Sequence, residues 1–110
     1  ATWCAPCIQD MPYSKKLRNE TKDLSIEFIY LCTSSGTNID KWKSKIVELK
    51  QSGTHLFVDK AIANELMELF SLTGFPSYAF LNSKGEYKQG VISKMSTTDK
   101  NQLIKIIEQK

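Results

Sequence analysis

Thr2-Trp3-Cys4-Ala5-Pro6-Cys7 stands at the start of the 110-residue chain, and its reading decides the rest. Two thiols are separated by two residues, the second of them proline, just where a helix is about to begin. Ile8, Met11 and Leu17 then recur at roughly helical spacing, which predicts a helix from about Cys4 to Lys22. Cys4 would cap that helix and Cys7 would lie one turn inside it. A thiolate at a helix N-terminus is stabilised by unpaired backbone N–H groups and by the positive end of the helix dipole, which raises the fraction available for attack. Cys7 is close enough to strike back at a mixed disulfide formed on Cys4. The stretch reads as a redox site.

The competing reading of a C-x-x-C pair is half of a zinc site. A second such pair is absent, so four ligands would require Cys32 and the lone histidine, His55. Cys32 ends an apolar strand-like run and His55 begins another, and nothing in the pattern brings either to the first helix. Three cysteines is an odd count, which fits one redox pair and one bystander better than a disulfide framework. Cys32 is expected to be a buried small hydrophobe. His55 is read as a surface or turn residue, and Trp42 as packing.

Length and composition set the bounds. A chain of 110 residues suits one domain with a single core, and 41% hydrophobic with 25% charged residues is ordinary for a globular fold. A net charge of +3, with lysines scattered among acids, gives no support to nucleic-acid or membrane-surface binding. No apolar run approaches the roughly 18 residues that span a bilayer. The sequence shows no signal peptide and opens on Ala1, so a processed or truncated piece is expected, the C-terminal part of a longer protein.

Beyond the first helix, whose interior Pro12 should bend it, Ser25–Cys32 reads as a strand. Phe28 to Cys32 is apolar on both faces, as in a strand covered by helices on both sides. Ile39, Trp42, Ile46 and Leu49 mark a helix over about 40–51, ended by Gly53. His55–Val58 is a short strand. A helix from Lys60 to Ser71 is expected to bury Ile62, Leu66, Leu69 and Phe70 and to stop at Gly74. Ser77–Leu81 and Glu86–Ile92 form a hairpin about Asn82-Ser83-Lys84-Gly85. Thr97 or Thr98 should cap a last helix that buries Leu103, Ile104 and Ile107. The whole is one α/β unit over residues 1–110.

Trp3-Cys4-Ala5-Pro6-Cys7, with Pro12 five residues after the second cysteine, resembles the thioredoxin superfamily. The Thr2-to-Cys7 opening together with Gly74-Phe75-Pro76-Ser77 is similar to its extracytoplasmic TlpA/ResA-like thiol–disulfide oxidoreductase branch. The resemblance implies a thioredoxin-like fold lacking its first strand, first helix and central strand. That central strand would lie between the counterparts of Ile26–Cys32 and Ser77–Leu81, and its loss leaves a gap edged by backbone groups that need partners. Three arrangements answer the gap: the flanking strands close up and pair, another chain donates an edge (a dimer through the gap), or the residues belong to a longer protein.

The resemblance also implies roles. Cys4 attacks a substrate disulfide and Cys7 resolves the mixed disulfide. Pro76 is the family's cis-proline, opening the strand that faces the cysteines across a groove, and Phe75 offers backbone hydrogen bonds to an extended substrate. Trp3 shields Cys4 and joins the docking surface, while Ala5 and Pro6 tune the dithiol. Family members usually hold a buried carboxylate on a strand before the motif, and that strand is not here. Asp10 is read as lying on a different face of the helix from Cys7 and is not given that role. The expected activity is thiol–disulfide exchange on protein substrates, in the reductive direction, with a separate electron donor and no organic cofactor or metal. The expected setting is the bacterial periplasm or the outer face of a membrane, with any tether outside this chain. The alternative is a thioredoxin-fold binding or assembly module whose cysteines do not turn over.

Overall fold

Residue 4 starts the first helix through its own side chain. Sγ of Cys4 accepts the Cys7 backbone N–H at 3.3 Å, filling the place of the usual oxygen N-cap. In the computed structural model, which describes residues 4–34, 36–51, 53–88 and 92–108 (backbone alone at 88), this helix, α1, spans Ala5–Glu20. Pro6 sits in its first turn, where a missing N–H removes no helical bond. Pro12 lies inside it without ending it. Thr21 closes α1, its N–H and hydroxyl both donating to the Leu17 carbonyl.

Apolar spacing alone misjudges what α1 buries. Ile8 and Met11 are only half-buried, whereas the buried stripe is Asp10, Ser14 and Leu17, at i, i+4 and i+7. Two of those three are polar, and each is satisfied by a partner distant in sequence, as burial of a polar group requires.

The next strand, β1, covers Ile29–Thr33; residues 25–28, expected as part of it, carry no ladder. Helix α2 (Ile39–Leu49) crosses over to β2 (Thr54–Val58), which pairs parallel to β1 from Ile29↔Thr54 to Thr33↔Val58. Asn38 caps α2 through the Lys41 N–H. Its end comes at Lys50, in the left-handed region at φ 50°, and not at Gly53. Helix α3 (Lys60–Leu69) is capped by Asp59 and ends at Phe70, followed by Ser71 at φ 54°, three residues before Gly74. In the hairpin β3 is Phe80–Leu81, shorter than the expected 77–81, and it pairs antiparallel with β4, Tyr87–Lys88; residues 89–91 of the expected second strand lie outside the described residues. Its turn is as expected, with the Asn82 side chain accepting from Lys84 and Glu86 N–H groups and Gly85 at φ 81°. A 3₁₀ turn at Met95–Thr97 leads to α4, Lys100–Glu108. Asp99 caps α4, not Thr97 or Thr98. Its carboxylate takes the Gln102 N–H while the Gln102 side chain takes the Asp99 N–H, a reciprocal capping box.

The core lies between α1, the 3₁₀ turn and α4. Leu17, Met95, Leu103 and Ile106 are buried together, with Ile26, Phe28, Tyr78, Phe80 and Ile92 packed around them. Ile106 takes the place expected for Ile107, which is exposed. Helix α3 buries none of its apolar face fully, and Ile62 and Leu69 are exposed. The β1–β2 pair is covered mainly on one face. Tyr30 meets α1 through a 2.7 Å hydrogen bond to Ser14, and Phe57 meets Trp42 of α2 at 5.1 Å between ring centroids. On the other face Ile29, Leu31 and Leu56 are exposed and cover comes only at the end, where Thr33 is buried, so the expectation of helices on both sides fails over most of β1.

Among the described residues the strands form two separate ladders, β1–β2 and β3–β4. The first of the three arrangements, direct pairing of the strands beside the gap, is therefore not the one adopted. Each flanking strand is instead held by its own partner and by the helices beneath it.

A candidate redox site at the tip of the first helix

Cys4 and Cys7 form a disulfide, with sulfurs 2.06 Å apart and Cα atoms 5.2 Å apart. One turn of helix sets that Cα separation, so α1 itself brings the pair together. Cys4 Sγ receives the Cys7 backbone N–H and sits at the positive end of α1. In this oxidised form Cys4 is the covered member, 4% exposed, and Cys7 is half-buried.

Ala5 and Pro6, between the cysteines, are exposed. The Phe75–Pro76 peptide bond is cis, with Phe75 exposed and Pro76 half-buried. Trp3, expected beside Cys4, lies outside the described residues. Cys32 is buried on β1 and free. His55 is no surface residue: half-buried on β2, it stacks on Tyr30 at 4.9 Å, and its Nε2 lies 2.9 Å from the Gln51 carbonyl.

Asp10 is the residue that the sequence reading undervalued. One turn after Cys7, it is 7% exposed, and its carboxylate accepts from the Met95 N–H at 2.8 Å, the Ser96 N–H at 3.1 Å and the Tyr78 hydroxyl. Tyr78 follows Pro76 by two residues, so this carboxylate ties the redox helix to the chain leaving Phe75-Pro76. Burial first, then the hydrogen bond and charge of Asp10, hold the Tyr78 hydroxyl's proton well beyond the usual phenol range. The available signal was spacing: Asp10, Ser14 and Leu17 share one stripe, but a hydropathy count discards its two polar members.

Among the described residues no three His, Cys, Asp or Glu side chains converge to hold a metal ion, and no helix is long and apolar enough to cross a membrane.

No family model matches this sequence. No curated protein matches it either. Among solved structures, the thioredoxin domain of a thiol–disulfide oxidoreductase from Bacteroides vulgatus superposes with a TM-score of 0.71 at 21% identity, covering 97% of this chain and 71% of that one. The chain has a thioredoxin-like fold.

Proposed function

From a thioredoxin-like fold with a dithiol at the tip of its first helix, we propose that the protein is a thiol–disulfide oxidoreductase acting on protein disulfides. The observation that carries this reading is the Cys4–Cys7 disulfide, with Cys4 Sγ placed to accept the Cys7 N–H. In the reduced protein the Cys4 thiolate attacks one sulfur of a substrate disulfide. A mixed disulfide forms and the first substrate thiolate leaves. The Cys7 thiolate then attacks Cys4 Sγ, expelling the second substrate thiolate and closing the Cys4–Cys7 bond. Two electrons pass to the substrate, which ends as two thiols after taking up two protons. A dithiol donor restores the enzyme by the same steps in reverse. Phe75 and Pro76, with Trp3, Ala5 and Pro6, form the docking surface in this reading, by their likeness to the family motif. The TlpA/ResA-like branch, a reductive direction and an extracytoplasmic bacterial setting belong to the same proposal.

One observation favours the alternative of a binding module with a structural disulfide, namely the burial of Cys4. Trapping separates the two. In Cys7→Ser, Cys4 has no resolving partner, so a disulfide-bearing protein should accumulate as a covalent adduct that dithiothreitol releases. Cys4→Ser should form none. Absence of adduct with Cys7→Ser, together with no insulin reduction by the unaltered protein, would leave only the binding module.

A further inference from the structure

Asp10 is buried where carboxylates are found only when paired. One of its oxygens accepts from the Tyr78 hydroxyl and the Met95 N–H, and the other accepts from the Ser96 N–H. Three donors around one carboxylate join three segments: the redox helix one turn past Cys7, the chain two residues past Pro76, and the 3₁₀ turn. Helix α1 has other attachments, Leu17 in the core and Ser14 on Tyr30. Apolar contact at Leu17 resists separation but tolerates sliding and rotation. A directional bond from Asp10 to Tyr78 does not, so it fixes the register between α1 and the segment after Pro76. Cys7 and Asp10 differ by about 4.5 Å of helical rise. Pro76 and Tyr78 are at most about 7 Å apart along the chain. Both the dithiol and the Phe75-Pro76 segment are therefore on short, stiff levers from this one bond.

We propose that Asp10 and Tyr78 are a pair of positioning residues that set the spacing between the dithiol and the Phe75-Pro76 segment, and thereby control how a disulfide-bearing protein docks. The proposal rests on the oxidoreductase reading above and deepens it. The chemistry at sulfur is left to Cys4 and Cys7; the pair acts through the wall of the docking surface. A small aromatic disulfide, which needs no extended docking surface, is indifferent to that spacing. A protein disulfide is not.

Tyr78→Phe tests this with little risk to folding, because the ring stays in the core and Asp10 keeps two backbone donors. Against insulin, kcat/KM should fall about tenfold and the loss should lie mainly in KM, as expected when a misplaced docking surface weakens binding of the substrate uniformly. Against 5,5′-dithiobis(2-nitrobenzoic acid), the reduced variant should react within about twofold of the unaltered protein. Asp10→Asn serves as the second variant. Its amide keeps one oxygen for two donors but turns its NH2 toward another N–H, so the same selective loss should be larger. Insulin reduction unchanged in Tyr78→Phe, or both substrates slowed equally, overturns the proposal. If the unaltered protein reduces no insulin, the oxidoreductase reading falls and takes this one with it; if it is active and Tyr78→Phe matches it, only the positioning role falls.

Discussion

Shortening Leu17 to alanine tests where the core lies. Leu17 is 2% exposed and contacts the cluster of Met95, Leu103 and Ile106, with Tyr78 and Phe80 among the half-buried residues around it. Leu→Ala at such sites costs about 2.7–5 kcal/mol, the upper part of the range applying where the cavity cannot collapse. Met95 is unbranched and able to shift into the space, which places the expected cost near the lower end, about 3 kcal/mol. That is a large share of the roughly 5–15 kcal/mol that holds a domain together. For a chain of this length it corresponds to a Tm lower by about 12 °C, taking about 4 °C per kcal/mol. The paired control is Leu69→Ala on α3, where the side chain is 61% exposed and the cost should stay within about 0.5 kcal/mol. Urea unfolding followed by far-UV circular dichroism, with the disulfide intact and the slope unchanged, measures both. The apolar period of α3 alone predicts comparable losses at the two positions. Equal losses, or a larger one at Leu69, would place the core under α3 and refute the packing described above.

Other outcomes follow from the caps and the buried hydroxyl. Asp99→Ala should cost about 1 kcal/mol by opening the capping box of α4, whereas Thr98→Ala should cost distinctly less; chemical denaturation of the two side by side checks the ranking. The Tyr78 hydroxyl ionises above its ordinary value of 10.0 in the folded protein, so below that pH both states keep the proton and its stabilising share is whole. As pH rises past 10.0 the unfolded chain loses the proton while the folded one retains it, and stability declines. The stability difference between the unaltered protein and Tyr78→Phe should therefore hold steady from neutral pH and shrink in the alkaline range. A difference that stays level to the alkaline end of the titration would contradict the burial and Asp10 pairing assigned to this hydroxyl.

What sequence reading could see was local. The Cys4–Cys7 spacing, the helix it starts and the Asn82–Gly85 turn depend on neighbours within a few residues, and they fall where the residues place them. Asp99 and Gln102 also carry a local signal, a capping box, masked by the two threonines just before it. Asp10 carries none that is local, because its partners lie 68, 85 and 86 residues away. Only tertiary structure turns an acidic residue on a helix into a buried one. Helix α3 illustrates the reverse limit. A period of 3.6 marks which face is apolar, but it does not say that anything in the chain covers it, and Ile62 and Leu69 are left in solvent. Likewise the ends of α2 and α3 fall to Lys50 and Ser71 at positive φ, so the nearest glycine was a poor guide to either.

The third sulfur has a consequence for how the molecule handles charge. Cys32 is sealed on β1, with its thiol turned to the Thr33 carbonyl at 3.6 Å, and so takes no part in surface traffic. A molecule with three accessible thiols can reshuffle among alternative pairings and strand an odd one. With one locked away, reducing equivalents enter and leave two at a time, and thiol counting should register two sulfurs in the native reduced protein and a third only after denaturation.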